Sequence, residues 1–178
     1  MVIDNELKNK NLGLKDKLSK IKILLTDNDG VLTDTGVYFS KNGEEFKRFS
    51  IRDGMGVERL RKYAGIETVI VTGEESGSVK SRAEKLKIKE FYLGVKDKTE
   101  VLKKVLQKNN LKEENVAFVG DDANDVNIMK LVGFSATPSD GMSFIKEFAD
   151  YICTNRSGNG AFREVAELIL AFNFKEPI

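Results

Sequence analysis

Four short apolar runs, at 21–26, 68–72, 115–119 and 134–137, constrain this chain more than any other feature. Each is too short for a helix and rich in Ile, Val, Leu or Phe, the pattern of a strand buried on both faces. Between and around them lie segments with helical spacing. Residues 53–64 put Val57, Leu60 and Ala64 on one face, with Asp53 as the expected cap and Gly65 as the stop. Residues 76–86 turn Val79, Ala83 and Leu86 inward, and 97–108 turn Val101, Leu102, Val105 and Leu106 inward. A short strand at 90–93, a helix at 124–131 and a closing helix–strand–helix series at 140–148, 151–153 and 161–172 extend the rhythm. Strands alternating with helices predict a doubly wound, Rossmann-like parallel α/β sheet. At 178 residues the chain is one domain by length. It is placed at 21–172, after a polar lead-in at 1–20 with a short helix at 15–20, and before a tail at 173–178.

Residues 35–51 break the rhythm. Asn42-Gly43 between two strand-like arms reads as a β-hairpin inserted after the first strand. The second arm alternates Phe46, Arg48, Ser50 against Lys47, Phe49, Ile51. This insertion, and the one between Thr72 and Lys98, are too short for a separate cap domain. Two strands are marginal alone, and Tyr38, Phe39, Phe46 and Phe49 would be costly in water. Self-association through the hairpin follows as an expectation.

Several functions drop out early. A net charge of +1 and no basic-aromatic interleaving give no nucleic-acid signature. No apolar run is long enough to span a bilayer, and the first twenty residues lack the apolar centre of a signal peptide. One cysteine, Cys153, excludes an intrachain disulfide and fits a cytoplasmic setting. A cysteine phosphatase would need an arginine where this chain has Asn159, so Cys153 reads as a buried strand residue. There is no histidine, which removes Ser-His-Asp and Cys-His catalysis and most zinc chemistry. Acid–base work falls to Asp, Glu, Lys or Tyr.

Ligands of open parallel sheets sit at the carboxyl ends of the strands. There the first strand gives Asp27-Asn28-Asp29-Gly30, the next Thr72-Gly73, and a later one Gly120-Asp121-Asp122 with Asn124 and Asp125 following; Lys98 opens a helix on the same edge. An acidic turn is the plain alternative for Asp27 and Asp29. Paired carboxylates, however, need a compensating cation, and an oxygen-rich set suits Mg²⁺. Each piece fits phosphoryl transfer. One carboxylate can be the nucleophile and a second the general acid, then base. A hydroxyl and backbone N–H can hold phosphate oxygens, and a lysine with Mg²⁺ can neutralise developing charge.

Taken in order, Asp27-Asn28-Asp29-Gly30-Val31-Leu32-Thr33-Asp34, Val71-Thr72-Gly73, Lys98 and Gly120-Asp121-Asp122-Ala123-Asn124-Asp125 resemble the four motifs of the haloacid dehalogenase superfamily. Within it the chain is similar to the small phosphatases of 3-deoxy-D-manno-octulosonate 8-phosphate (KDO 8-phosphate) and to the related nonulosonate 9-phosphate phosphatases. The likeness includes the hairpin, Arg52-Asp53-Gly54 and the tail Gly158-Asn159-Gly160-Ala161-Phe162-Arg163-Glu164. It implies Asp27 as nucleophile and Asp29 as general acid/base. It implies Mg²⁺ held by Asp27, the Asp29 carbonyl and Asp121. Thr72 and Gly73 would hold the phosphoryl group, Lys98 would stabilise it, and Asp122 and Asp125 would stand behind metal and lysine. Asn28 departs from the commoner apolar residue, with its side chain expected to face away from the metal. The resemblance also implies a homotetramer in which four hairpins associate and neighbours close each site.

A phospho-accepting signalling domain is the more distant alternative, but there no acid follows the phosphorylated Asp by two. The substrate is expected to be a small sugar acid phosphate, with Arg52, Arg156 or Arg163 pairing its carboxylate. After Thr72-Gly73 this chain has Glu74 where many KDO 8-phosphate phosphatases have arginine. Glu74 with Lys85 looks more like the nonulosonate group, while the length, hairpin and tail suit both. KDO 8-phosphate is placed first.

Overall fold

The computed structural model describes residues 3–174. Six strands form one parallel sheet: β1 (Ile23–Thr26), β4 (Glu67–Val71), β5 (Glu90–Tyr92), β6 (Val116–Val119), β7 (Phe134–Thr137) and β8 (Tyr151–Ile152), in the order β5-β4-β1-β6-β7-β8. A separate two-stranded sheet joins β2 (Thr33–Ser40) and β3 (Gly43–Phe49). The helices are α1 (Asn5–Lys10), α2 (Lys15–Leu18), α3 (Ile51–Ala64), α4 (Gly77–Lys85), α5 (Lys98–Asn109), α6 (Val126–Met129) and α7 (Ala161–Asn173). The doubly wound arrangement, the hairpin insertion and the lack of a separate cap domain among the described residues agree with the sequence.

β1, β4 and β6 alternate their side chains between two apolar clusters, and β7 turns Phe134 and Ala136 into the larger one. Leu24, Ile70, Ala117 and Phe134 enter a larger cluster with Leu60, Phe162, Val165 and Ile169. Leu25, Val69, Phe118 and Val71 enter a smaller one with Val101, Leu102 and Ile145. The sheet is thus covered on both faces, which is why its strands read as unbroken apolar runs. β1 lies at the centre, between β4 and β6, with Leu25 opposite Val69 and Phe118.

Local structure departs from expectation in several places. α3 starts at Ile51 because Ser50, not Asp53, caps it, accepting from the Arg52 and Asp53 amides at 3.1 and 3.3 Å. Asp53 is instead buried and reaches across to the start of α7, accepting from the Gly160 amide at 3.1 Å and the Arg163 amide at 2.9 Å. The hairpin turns at Lys41-Asn42, one residue earlier than expected, because Gly43 already pairs with Ser40. Phe49 is not an exposed liability. It packs against the larger core cluster with the Arg82 guanidinium 5.7 Å above its ring. The helix expected at 140–148 is a 3₁₀ turn, Ser143–Phe148, with only Ile145 buried. Cys153 follows β8 and is buried.

The lead-in folds as α1, a 3₁₀ turn at Leu12–Leu14 and α2, with Leu18 fully buried and Leu7 and Leu14 against the core. Residues 1–2 and 175–178, and with them most of the expected tail, lie outside the described residues.

Candidate active site

β1 places the first acidic group because its last residues are fixed on both sides. The Asp27 amide donates to the Val119 carbonyl at 2.9 Å, and Thr26 Oγ1 donates to the Asp27 carbonyl at 2.8 Å. Asp27 is buried, and one of its oxygens accepts from the Asn28 amide at 2.7 Å. The other lies 3.0 Å from Lys98 Nζ. Lys98, first residue of α5 behind the Asp97 cap, is buried as well, and its ammonium also lies 2.5 Å from Asp125 Oδ1. It is no solvated surface lysine.

β6 supplies the opposite wall. Asp125, expected from the resemblance to stand behind metal and lysine, is fully buried. Its second oxygen accepts from the backbone N–H groups of Asp121 and Asp122 at 2.9 and 3.5 Å. Both Asp125 oxygens are therefore engaged, and its work is to hold Lys98 and the Asp121 turn. Asp122 does not touch Lys98; its Oδ1 caps the following 3₁₀ turn through the Ala123 amide at 2.6 Å. Gly30, at φ +85°, lets Asp121 approach, since a Cβ there would overlap the Asp121 carboxylate.

Carboxylate oxygens of Asp27, Asp121 and Asp125 lie within 4.8 Å of one another. The electrostatics show what such crowding costs. Burial, reinforced by Asp125, pushes the Asp27 carboxyl up to about 7 despite Lys98. Burial, with Asp27, Asp125 and Asp122 nearby, pushes Asp121 up to about 8. Burial alone would lower the Lys98 ammonium, but Asp27 and Asp125 outweigh it and hold it above ordinary lysine. More negative charge converges here than one lysine compensates, so the donor set fits a hard divalent cation bound through oxygen.

The third wall comes from β4. Thr72 is buried, and its Oγ1 accepts from the Glu74 amide at 3.3 Å. The cleft itself, about 260 Å³, is lined by Asp27, Asp29, Thr35, Thr72, Gly73, Glu74, Asp121, Asp122 and Asn124. Asp29 sits on its hairpin side. Its Oδ1 accepts from Asn28 Nδ2 at 3.1 Å and Thr33 Oγ1 at 3.2 Å, and its Oδ2 lies 2.6 Å from Lys47 Nζ. Asn28 thus leans on Asp29.

The substrate residues expected from sequence divide. Glu74 lines the cleft. Lys85 does not; it is exposed in the last turn of α4, about 12 Å of helix rise from the end nearer the cleft. Arg52 and Arg163 line a different, larger groove of about 610 Å³ with Lys10, Tyr151 and Glu167, which contains none of the acidic cluster. Arg163 pairs there with Glu167 at 2.7 Å. Arg156 pairs with Asp140 at 3.2 Å, its side chain 74% exposed. None of the three arginines lines the cleft of its own chain.

Two residues at the site escaped the sequence reading. Lys47 shares a hairpin face with Phe49, and that face turns inward, so the alternation carried a usable signal. Thr35 lines the cleft at φ +66°, a conformation unfavourable to a β-branched residue, and no sequence pattern announces it.

The chain is similar over most of its length to known proteins of one family. A family profile of haloacid dehalogenase-like hydrolases matches residues 95–165. The 3-deoxy-D-manno-octulosonate 8-phosphate phosphatase KdsC of Escherichia coli (strain K12) is 39% identical over 154 residues, covering 86% of this chain and 81% of the relative. The enzyme of that name from Haemophilus influenzae is 33% identical over 165 residues, covering 93% and 91%. Among solved structures, the phosphatase of that name from Moraxella catarrhalis, in complex with magnesium ion, phosphate ion and KDO, superposes with a TM-score of 0.87. It is 34% identical, covering 92% of this chain and 93% of that one. A cobalt-bound form of the Haemophilus influenzae phosphatase gives a TM-score of 0.85 at 34% identity, covering 88% and 91%.

Proposed function

From the premise that the chain belongs to the haloacid dehalogenase-like hydrolases, we propose that it is a magnesium-dependent phosphatase of a 2-keto-3-deoxy sugar acid phosphate, KDO 8-phosphate first. The observation that carries this reading is a buried Asp27 held against Lys98 and facing Asp121, with Asp29 two residues on in the same cleft.

In this reading Asp27 attacks phosphorus, the bond to the sugar oxygen breaks, and that oxygen takes its proton from Asp29. The product is an aspartyl-phosphate on Asp27. Asp29, now a carboxylate, takes a proton from water as the water oxygen bonds to phosphorus and Asp27 is released. Thr72 and the Gly73 amide hold phosphoryl oxygens, and Lys98 offsets their charge. Asp27, the Asp29 carbonyl and Asp121 would hold Mg²⁺, which supplies charge neutralisation at the phosphoryl group. Asp125, with both oxygens engaged, positions Lys98. The signalling alternative provides no Asp29.

A nonulosonate 9-phosphate is the second reading, and Glu74 in the cleft favours it. KDO 8-phosphate stays first because the Lys85 expected to join Glu74 lies away from the cleft of its own chain. The arginines expected to meet the sugar carboxylate would act from a neighbouring subunit, within a homotetramer built on the hairpins. The single buried thiol fits a cytoplasmic setting.

The test is phosphate release from a panel of phosphosugars with and without Mg²⁺. KDO 8-phosphate should be turned over, EDTA should stop it, and Mg²⁺ should restore it. No turnover of any 2-keto-3-deoxy sugar acid phosphate, or activity that survives thorough chelation, would refute the proposal.

A further inference from the structure

The hairpin carries a buried charge that the steps above do not use. Lys47 lies on β3 with its side chain 1% exposed, and its ammonium sits 2.6 Å from Asp29 Oδ2 and 3.4 Å from Glu44 Oε2. Glu44 Oε1 in turn accepts from Ser76 Oγ at 2.5 Å. Ser76 caps α4 and closes the loop that begins at Thr72 and Gly73. A buried ammonium persists only when its charge is paired and its donors are used, and here both carboxylates serve it. On the other Asp29 oxygen, Asn28 Nδ2 and Thr33 Oγ1 complete the clamp. The carboxylate is thus fixed from three elements: the β1 loop, the start of β2, and β3.

We propose that Lys47, braced by Glu44 and Ser76, is the positioning residue that aims the Asp29 carboxylate at the water of the second half-reaction. The proposal rests on the phosphatase reading. The chain Asp29–Lys47–Glu44–Ser76 ties three parts to one frame: the acid/base, the hairpin and the phosphoryl-holding loop. Misaim of a reacting group by about 1 Å costs on the order of 10²-fold in rate.

p-Nitrophenyl phosphate separates the two half-reactions, because p-nitrophenolate leaves without needing a proton from Asp29. In Lys47→Met, formation of the phospho-Asp27 should proceed and its hydrolysis should slow. We expect kcat to fall about tenfold or more, kcat/KM to stay within about threefold, and stopped flow to show a burst of nitrophenol near one per subunit. A structural defect alone would lower kcat/KM and give no burst. Glu44→Gln, which keeps Lys47, should show the same signature more weakly, and it decides the matter if Lys47→Met does not fold by circular dichroism. Equal losses in kcat and kcat/KM, an unchanged kcat, or no burst would overturn the positioning role while leaving the phosphatase reading intact. Failure of the wild type to hydrolyse any phosphomonoester would overturn both.

Discussion

Burial and mutual repulsion push the carboxyls of Asp27 and Asp121 above the range of free carboxyls in the metal-free fold. Their folded values of about 7 and about 8 lie above the ordinary 3.8 because burial and mutual repulsion disfavour the charge. The sign for stability follows. A group raised in the folded state stabilises fully below its unfolded value, and that gain is lost as pH climbs through the folded value. Metal-free protein should therefore melt at progressively lower temperature from about pH 4 to pH 8. Added Mg²⁺ should raise the melting temperature more at pH 8 than at pH 5, because protons no longer compete for the ligands. Melting curves at both pH values, with EDTA or Mg²⁺, check this; a metal effect that does not grow with pH would contradict it. Asp27→Asn should abolish turnover, since an amide is a poor nucleophile and brings no charge to the cation. Asp29→Asn should cripple turnover while leaving the circular dichroism spectrum intact. Glu74 lines the cleft, so Glu74→Arg should shift the ratio of kcat/KM between KDO 8-phosphate and a nonulosonate 9-phosphate by about tenfold, or about 1.4 kcal/mol. An unchanged ratio would mean that Glu74 does not read the sugar. At this scale the chain of acids, Thr72 and Lys98 was legible because strand ends and helix starts gather on one edge. The pairing of Arg156 was not, because its partner Asp140 is set by tertiary packing, whereas Arg163 and Glu167 stand four residues apart on α7, a spacing that the sequence carried and the reading passed over.

At the scale of elements, α3 and α7 are joined by more than apolar contact. Asp53 sits in the first turn of α3, yet its carboxylate answers two amides at the start of α7. The sequence placed Asp53 as a cap and was right about the chemistry but not the helix. Ser50 took the local role because its hydroxyl reaches the Arg52 and Asp53 amides, and a distant helix cannot be read from spacing. Asp53→Ala should leave the Gly160 and Arg163 amides without this partner in a buried place, at a cost of about 1–3 kcal/mol. Denaturant unfolding of the variant measures this, and a loss below about 0.5 kcal/mol would show that water replaces the carboxylate. The hairpin was legible for a similar reason, its arms alternating around an Asn-Gly signal. Its turn shifted by one residue because Gly43, at φ +106°, pairs within the ladder.

For the whole molecule, the hairpin is the surface that most needs company. Phe39 is 73% exposed, Tyr38 and Phe46 are 59% exposed, and their rings lie 5.0 Å apart. Packing such hairpins together would remove these rings from water, and the proposed homotetramer is one way of doing so. Sedimentation of the wild type at micromolar concentration should give that species. Phe39→Glu should shift it toward monomer and lower activity, because the hairpin that presents Lys47 to Asp29 would lose its support. A monomeric wild type would refute the assembly.

The strand order also sets a schedule for the newly made chain. β1 leaves the ribosome before either strand that flanks it, since Ile23 pairs with Val116 on one side and Glu67 on the other. Asp27 meets Lys98 only after α5 has been made, and Lys98 meets Asp125 later still. α7, which packs on α1, α2 and α3, comes last. Until β4 has been made β1 therefore has no strand to pair with, and its other edge waits for β6. The acidic cluster is complete only once Asp125 has joined Asp27, Lys98 and Asp121, so the site is assembled from segments far apart in the chain.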